Sequence, residues 1–448
     1  MLIVDEEQAE LEEELAEYYI LDTIAHNIML AERGIIPEQD AARVIKALLA
    51  LLEEARGGRL KVKVGMDIHQ VVEAKLREAA GASSLWFHQA RSRNDEVAAR
   101  MRMYIRHKLV SLALRALSCC AEMLDLSEKY CSLVMPGYTH QMPSMPMTFG
   151  FWLQCYAEGI LDTMELAKAA YKAADKCPLG AGASQGVYWP IDRELTSRLL
   201  GFSKPVLNSL YAVTSRGHIE LYAASWASAL ALLLSRLAED LVNWSSLGLV
   251  EVKAGEGSSI IPAKLNPDVA ELLRAASART LACYTHMYTA LKSLPSGYQR
   301  DSRETKKPIV DCFKALEYSL KALSALFRSA RPLPEEMYTR AQSCMLAAKA
   351  AKLARQLNKP YAEVKKLIEE GEASLPEVDP GEALEMQDHL GSPKPARVLE
   401  AARELRKAVQ QEASWWHARE RGMLEAERDL IERAKLYAQR AAEASPRW

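Results

Sequence analysis

From His218 to Leu247 the chain carries no glycine and no proline, and apolar side chains cover most of the helical circumference. A helix that is apolar nearly all round must be surrounded by other helices. From Asn94 to about Lys129, Val97, Met101, Ile105, Leu109, Leu112, Ala116 and Cys120 recur at three- and four-residue steps, the mark of a second very long helix. Comparable segments run roughly over 147–176, 268–293 and 309–330. Several helices of this length pack as a bundle.

The N-terminal part predicts a helical hairpin. An acidic amphipathic helix from about Glu6 to Glu32 stops at Gly34, and Pro37 opens a second helix with Val44, Ile45, Leu48, Leu51 and Leu52 on one face, closed by Gly57-Gly58. After about residue 335 shorter helices are expected, punctuated at Pro360, Gly371, Pro376, Pro380 and Gly391. The expected fold class is therefore all-α, with three helical domains: 1–90, a central long-helix bundle over 91–335, and 336–448. No internal repeat and no βαβ alternation is evident, which speaks against a doubly wound sheet.

Lys plus Arg number 57 and Asp plus Glu 59, so no global field draws the chain to nucleic acid or an anionic membrane, and any anion site must be local. The eight cysteines form no CxxC pair or zinc-type cluster and are expected to be small buried hydrophobes in a reducing compartment. The start, MLIVDEEQAE, lacks the basic segment of a signal peptide, so a cytoplasmic location is expected. The uncharged stretch from Tyr130 to Ala157 is broken by Pro136, Gly137, Pro143 and Pro146, and is not expected to span a membrane.

Chemistry is expected in the irregular stretches between bundle helices. In HQARSRNDEVAAR (88–100), Arg91, Arg93 and Asn94 lie where a long helix begins, so helix N–H groups and guanidinium forks can converge on a carboxylate. The competing reading is that Asn94 only caps the helix and the arginines pair with acids. Tyr138-Thr139-His140 offers a proton-transfer group in a proline-rich loop; a hydrogen-bonded loop histidine is the plainer alternative. GSSIIPAKLNPD (257–268) combines mobile glycines, the hydroxyls of Ser258 and Ser259, the Lys264 cation and the Asn266 amide, a set suited to stabilising developing negative charge unless it is only a surface linker. Gly182-Ala183-Ser184-Gln185-Gly186 fits GxSxG, but it follows a helix rather than a buried strand, so a turn or nest is expected there.

GSSIIPAKLNPD resembles the signature loop of the fumarase, aspartase and adenylosuccinate lyase superfamily. ARSRNDEVAARMR (90–102), MPGYTH (135–140), PLGAGA (178–183), SRLAEDLVNWSS (235–246) and LPSGYQRDSRETKKP (294–308) resemble the argininosuccinate lyase family within it. The likeness runs from about Thr23 to about Leu390. It implies a homotetramer with a twenty-helix core, active sites built by loops from three subunits, and reversible β-elimination of argininosuccinate to arginine and fumarate, the last step of arginine synthesis. Carried over by residue, Ser258 is the base that removes the Cβ proton, and Lys264 and Asn266 stabilise the aci-carboxylate intermediate. Thr139 and His140 act from the opposite side. Ser92, Arg93 and Asn94 hold a carboxylate, His69 is a further site histidine, and Arg216, Tyr298, Arg303 and Lys306 handle the arginine portion. No metal or organic cofactor is implied.

This sequence departs from the family pattern at Gln89 and Ala90, which replace a Thr-Gly pair, at Met142 and Met145, which replace glutamines, and at Arg303, which also replaces a glutamine. Arg303 adds positive charge at the expected arginine end and disfavours a cationic ligand there unless it points away or pairs with Glu304. These changes leave open another fumarate-releasing lyase, adenylosuccinate lyase-like, and a catalytically silent structural paralogue. Retention of Ser258, Lys264, Asn266, Thr139 and His140 argues against silence.

Overall fold

A computed structural model describes residues 4–252, 260–262 and 264–443. Its N-terminal part holds α1 (Glu6–Glu14), α2 (Ala16–Glu32), α3 (Glu38–Arg56) and α4 (Ile68–Ala80). The single helix expected over 6–32 is two helices that meet at buried Leu15, and the break lets α1 diverge so that Glu12 reaches Arg100 and Lys306. The apolar face of α3 packs on α2 as its spacing dictates, with Val44, Ile45 and Leu48 fully buried.

The bundle consists of α5 (Arg93–Lys129), the hairpin β1 (Val134–Thr139) and β2 (Met142–Thr148), α6 (Phe149–Ala174), the short α7 (Arg193–Leu199) and α8 (Ser209–Thr214), α9 (His218–Ser246), β3 (Val250–Val252), α10 (Asp268–Leu291), α11 (Lys306–Ser329) and β4 (Ala330–Pro332). The five long helices alternate in direction. α5, α9 and α11 begin at one end, where α6 and α10 finish. This closeness is visible in contacts: Arg102 of α5 donates to Ala173 O at the end of α6 (2.8 Å) and to Ser215 Oγ ahead of α9 (2.8 Å). Gly217 has φ +87° and lies so close to Leu291 and Thr305 that a Cβ there would come within 2.5 Å of the leucine. Only glycine meets both conditions.

At the opposite end β3 pairs antiparallel with β4, tying the end of α9 to the end of α11, and the β1–β2 hairpin lies against α12 (Pro334–Ala341). The bundle core is cross-linked by polar groups too: Trp152 Nε1 and Tyr156 Oη of α6 both donate to Asp240 of α9, at 2.8 and 2.5 Å. By length and composition α9 could cross a membrane, yet half of its most apolar stretch is buried, against α6, α10 and α11.

Short helices follow as expected, α13 (Leu346–Leu357), α14 (Tyr361–Glu369) and α15 (Pro380–Glu385). The final helix, α16 (Pro395–Glu443), departs from that expectation. It is 49 residues long, the longest described, because Gly422 is its one helix-weakening residue past the first turn. α16 packs along α3 and α5 and places Trp416, fully buried, against Tyr171 of α6. All eight cysteines are free thiols; five are buried, but Cys155 is exposed and Cys131 and Cys283 are half-buried, a correction to their expected burial.

Candidate active site

The N-terminus of α5 organises one end of the bundle. Ser92 is its N-cap: the hydroxyl accepts from Asn94 N at 3.3 Å, and Asp95 Oδ1 accepts from Ser92 N at 3.1 Å, a reciprocal cap. The other oxygen of buried Asp95 accepts from Gly180 N (3.0 Å) and Gly182 N (2.9 Å), which locks the PLGAGA loop to the helix start. Burial pushes the Asp95 carboxyl up to about 6, against the pull of these N–H donors and of Arg91. The GxSxG segment is thus a turn, as expected: Gly186 N donates to Ala181 O at 2.9 Å.

A cleft of about 390 Å³ opens beside this cap. It gathers His69, Arg93, Asn94, Arg216, Tyr298, Arg303 and Lys306, seven of the residues singled out from the sequence. Ser92 sits immediately beneath as the cap. Asn94 bridges the cleft wall, donating to Ala183 O (3.3 Å) and accepting from Arg216 Nη1 (3.4 Å). The Arg216 guanidinium lies 4.9 Å from the centre of the Tyr298 ring. Arg93 pairs with Asp67 at 3.0 Å. Arg91, expected beside it, instead turns inward, with a fully buried side chain bonded to Asp22 (2.8 Å) and Thr23 (3.1 Å). The carboxylate clamp therefore has one fork from this segment, not two, and that fork is engaged by Asp67.

Five charged groups that line the cleft were not singled out from the sequence: Glu12, Asp67, Glu96, Arg100 and Arg300. Glu12 receives Lys306 Nζ and Arg100 Nη1, each at 2.9 Å. Burial alone would raise its pKa, but those two cations override it and hold the carboxyl far below the usual range. Burial pushes Lys306 down to about 8, helped by Arg100 and opposed by Glu12. The available signal for Glu12 was an acid between Leu11 and Leu15 on the buried face of an otherwise solvated acidic helix.

His69 Nδ1 lies 3.2 Å from Glu96 Oε2 and 3.1 Å from Tyr19 Oη. His69, His88 and Glu96 bring donor atoms within 4.8 Å of one another, a spacing that a divalent ion can use. Arg91 stands in that group, 3.5 Å from Glu96 and 3.4 Å from His88 Nδ1, so a fixed guanidinium already supplies the positive charge. Burial and Arg91 together push His88 down to about 3, leaving it neutral.

The remaining candidates lie elsewhere. Thr139 and His140 are exposed at the tip of the β1–β2 hairpin, where Thr139 pairs with Met142 around a two-residue turn. His140 (φ 54°) and Gln141 (φ 60°) both have the left-handed backbone of a type I′ turn. Lys264 is exposed and Asn266 half-buried, ahead of α10. Ser258 lies outside the described residues. Since α5 alone rises about 55 Å over its 37 residues, the hairpin and the Lys264 loop stand at the end of the bundle opposite the cleft.

A family model described as "Lyase" matches residues 6–281. Argininosuccinate lyase of Streptococcus mutans serotype c (strain ATCC 700610 / UA159) is 38% identical over 323 residues, 71% of this chain and 70% of that protein. The chain belongs to the argininosuccinate lyase family. It is a lyase enzyme, and its architecture agrees. EDDS lyase in complex with formate shares the fold of this lyase with a TM-score of 0.86 at 23% identity, over 97% of this chain and 94% of that one. Class II fumarase of Schistosoma mansoni gives a TM-score of 0.66 at 16% identity, over 81% and 88%. The all-α fold expected of this lyase is thereby borne out, with two small two-stranded ladders added among the described residues.

Proposed function

We propose that this lyase cleaves argininosuccinate to arginine and fumarate by β-elimination. The observation that carries the reading is the 38% identity to argininosuccinate lyase. The cation-rich cleft supports it, since a succinyl adduct presents at least two carboxylates. In the proposed mechanism Ser258 removes the Cβ proton, and Lys264 and Asn266 stabilise the resulting aci-carboxylate. The C–N bond then breaks, its electron pair stays on the guanidino nitrogen, and Thr139 and His140 assist protonation there. Ser92, Arg93, Asn94 and His69 hold the substrate on the cleft side.

The separation of these groups by the length of the bundle supports sites completed between copies of the chain, in a homotetramer with antiparallel bundles. We further propose the division into 1–90, 91–335 and 336–448, and a cytoplasmic location. Fumarate formation from argininosuccinate, adenylosuccinate, malate and aspartate tests the activity, with Ser258→Ala as the inactive control. Cleavage of argininosuccinate alone, lost in the folded variant, is the expected result; cleavage of a different substrate overturns the substrate assignment.

A further inference from the structure

Asp95 does more than cap α5. Its side chain is fully buried, and its two oxygens face different parts of the chain. Oδ1 accepts from Ser92 N and Glu96 N, both at 3.1 Å, and so completes the helix cap by itself. Oδ2 instead accepts from Gly180 N at 3.0 Å and Gly182 N at 2.9 Å. A cap needs only one oxygen, and a carboxylate taken out of water is costly unless hydrogen bonds replace its hydration. The second oxygen is therefore matched to the loop and not to the helix.

The loop held in this way orients the cleft. Ala183 O, next along from Gly182, can only accept, so it takes the N–H side of the Asn94 amide at 3.3 Å. The amide oxygen of Asn94 must then face the other way, where Arg216 Nη1 donates to it at 3.4 Å. Gly297, just ahead of Tyr298, packs on the same loop: a Cβ there would lie 3.4 Å from the Ser184 hydroxyl oxygen. Arg193 of α7 also holds the loop, with Nε donating to Leu179 O at 2.8 Å.

We propose that Asp95 is a positioning residue of the elimination: by holding residues 180–183 against the start of α5, it sets Asn94, and through it Arg216, in the orientation that binds substrate. The inference rests on the proposed function and adds to it a residue that acts only through others. An asparagine could not take this role, because whichever way its amide turned, the NH2 group would meet two N–H donors. A proton on the carboxyl has the same effect on one oxygen. The charged groups facing Asp95 are Arg91 and Glu96 from its own segment and Arg193 from α7, while the loop presents the two glycine N–H groups.

The test follows fumarate release from argininosuccinate by the intact oligomeric enzyme, as wild type, Asp95→Asn and Arg193→Gln, between about pH 5 and pH 8. Circular dichroism and light scattering check fold and assembly. At the upper end Asp95→Asn is expected to raise KM about tenfold and Arg193→Gln about threefold, with kcat within about threefold of wild type, since binding is lost equally in ground and transition states. The wild-type KM is expected to climb as pH falls through about 6, and that climb should be absent in Asp95→Asn. A purely structural role would lower kcat and thermal midpoint and leave KM unmoved, and that result overturns the proposal. The same acid climb in Asp95→Asn as in wild type also overturns it. Should Asp95→Asn fail to assemble, Arg193→Gln and the wild-type profile decide: an unmoved KM in that variant, or a flat wild-type KM through pH 6, overturns the role. In each of these cases the proposed activity stands. If the wild type releases no fumarate from argininosuccinate, the proposed function falls and the positioning role falls with it.

Discussion

Lys306 Nζ lies 2.9 Å from Glu12 Oε1, joining the start of α11 to α1 in a buried ion pair that also forms part of the cleft wall. Its burial pushes the lysine down to about 8, so the cleft loses one positive charge as pH rises through that value. KM for the anionic substrate is expected to climb above about pH 8, and Lys306→Arg, which cannot deprotonate in this range, should flatten that rise. The stability contribution has its own sign. Between the folded value and the ordinary 10.5 the unfolded chain binds the proton more tightly, so this group's contribution rises with pH and is lost as pH falls through about 8. Urea unfolding at pH 7 and 9.5, with Lys306→Met as the reference, measures it.

His140 occupies a turn position with φ 54°, where asparagine or glycine sits more easily. A histidine held there against local preference agrees with the proposed role of His140. His140→Asn is expected to raise hairpin stability by roughly 0.5–1 kcal/mol while lowering kcat strongly. Urea midpoints and fumarate release on the same preparation give both numbers, and unchanged turnover removes His140 from the mechanism.

Ala90 has φ 57°, just ahead of the α5 cap, and Gln89 O accepts from His26 Nε2 at 2.7 Å beside it. A left-handed alanine costs on the order of 1–2 kcal/mol. Ala90→Gly should therefore stabilise the protein by somewhat less than that, since glycine adds freedom to the unfolded chain. A higher thermal midpoint with unaltered kinetics is the expected outcome; a lower one would mean that the alanine methyl packs better than its backbone angle suggests.

The bundle was legible because its signals are long: α5, α6, α9, α10 and α11 follow three- and four-residue apolar spacing over many turns, and the bounds read from sequence fall within about three residues of those observed. The hairpin was not legible. Its two strands, VMPGYT and MPSMPMT, are too rich in proline for a strand pattern, and the ladder tolerates them with a register shift between Pro136 and Tyr138. Within the cleft, motif residues such as Arg93, Asn94 and Tyr298 could be named from sequence. Glu12 offered only the hint of an acid on an apolar helix face and Arg100 none, and it takes the ion pairs from α1 to α5 and α11 to turn them into a shared charge network. Arg91 failed for the opposite reason: its spacing fitted the clamp, but buried Asp22 claims it.

Arg93 and His140 stand at opposite ends of α5. If a site joins the two across copies, Arg93→Ala and His140→Ala are each inactive alone, and mixed oligomers refolded from both contain sites free of either change. Activity is expected to return on mixing. No return would place both groups in a site formed by one chain.

The alternating course of the bundle makes helix length a dimension of the chemistry. Seven residues added to the middle of α5 would carry its far hairpin about 10 Å outward and leave the cleft where it is. Its neighbour α6, joined to it through that hairpin, would have to grow by the same two turns, just as α9 and α11 must match in length for β3 to meet β4. Connections such as residues 187–192 face no such demand, since they link elements at one end only. Sequence drift in this protein is therefore free to lengthen its loops but is held to a matched length within the pairs α5–α6 and α9–α11.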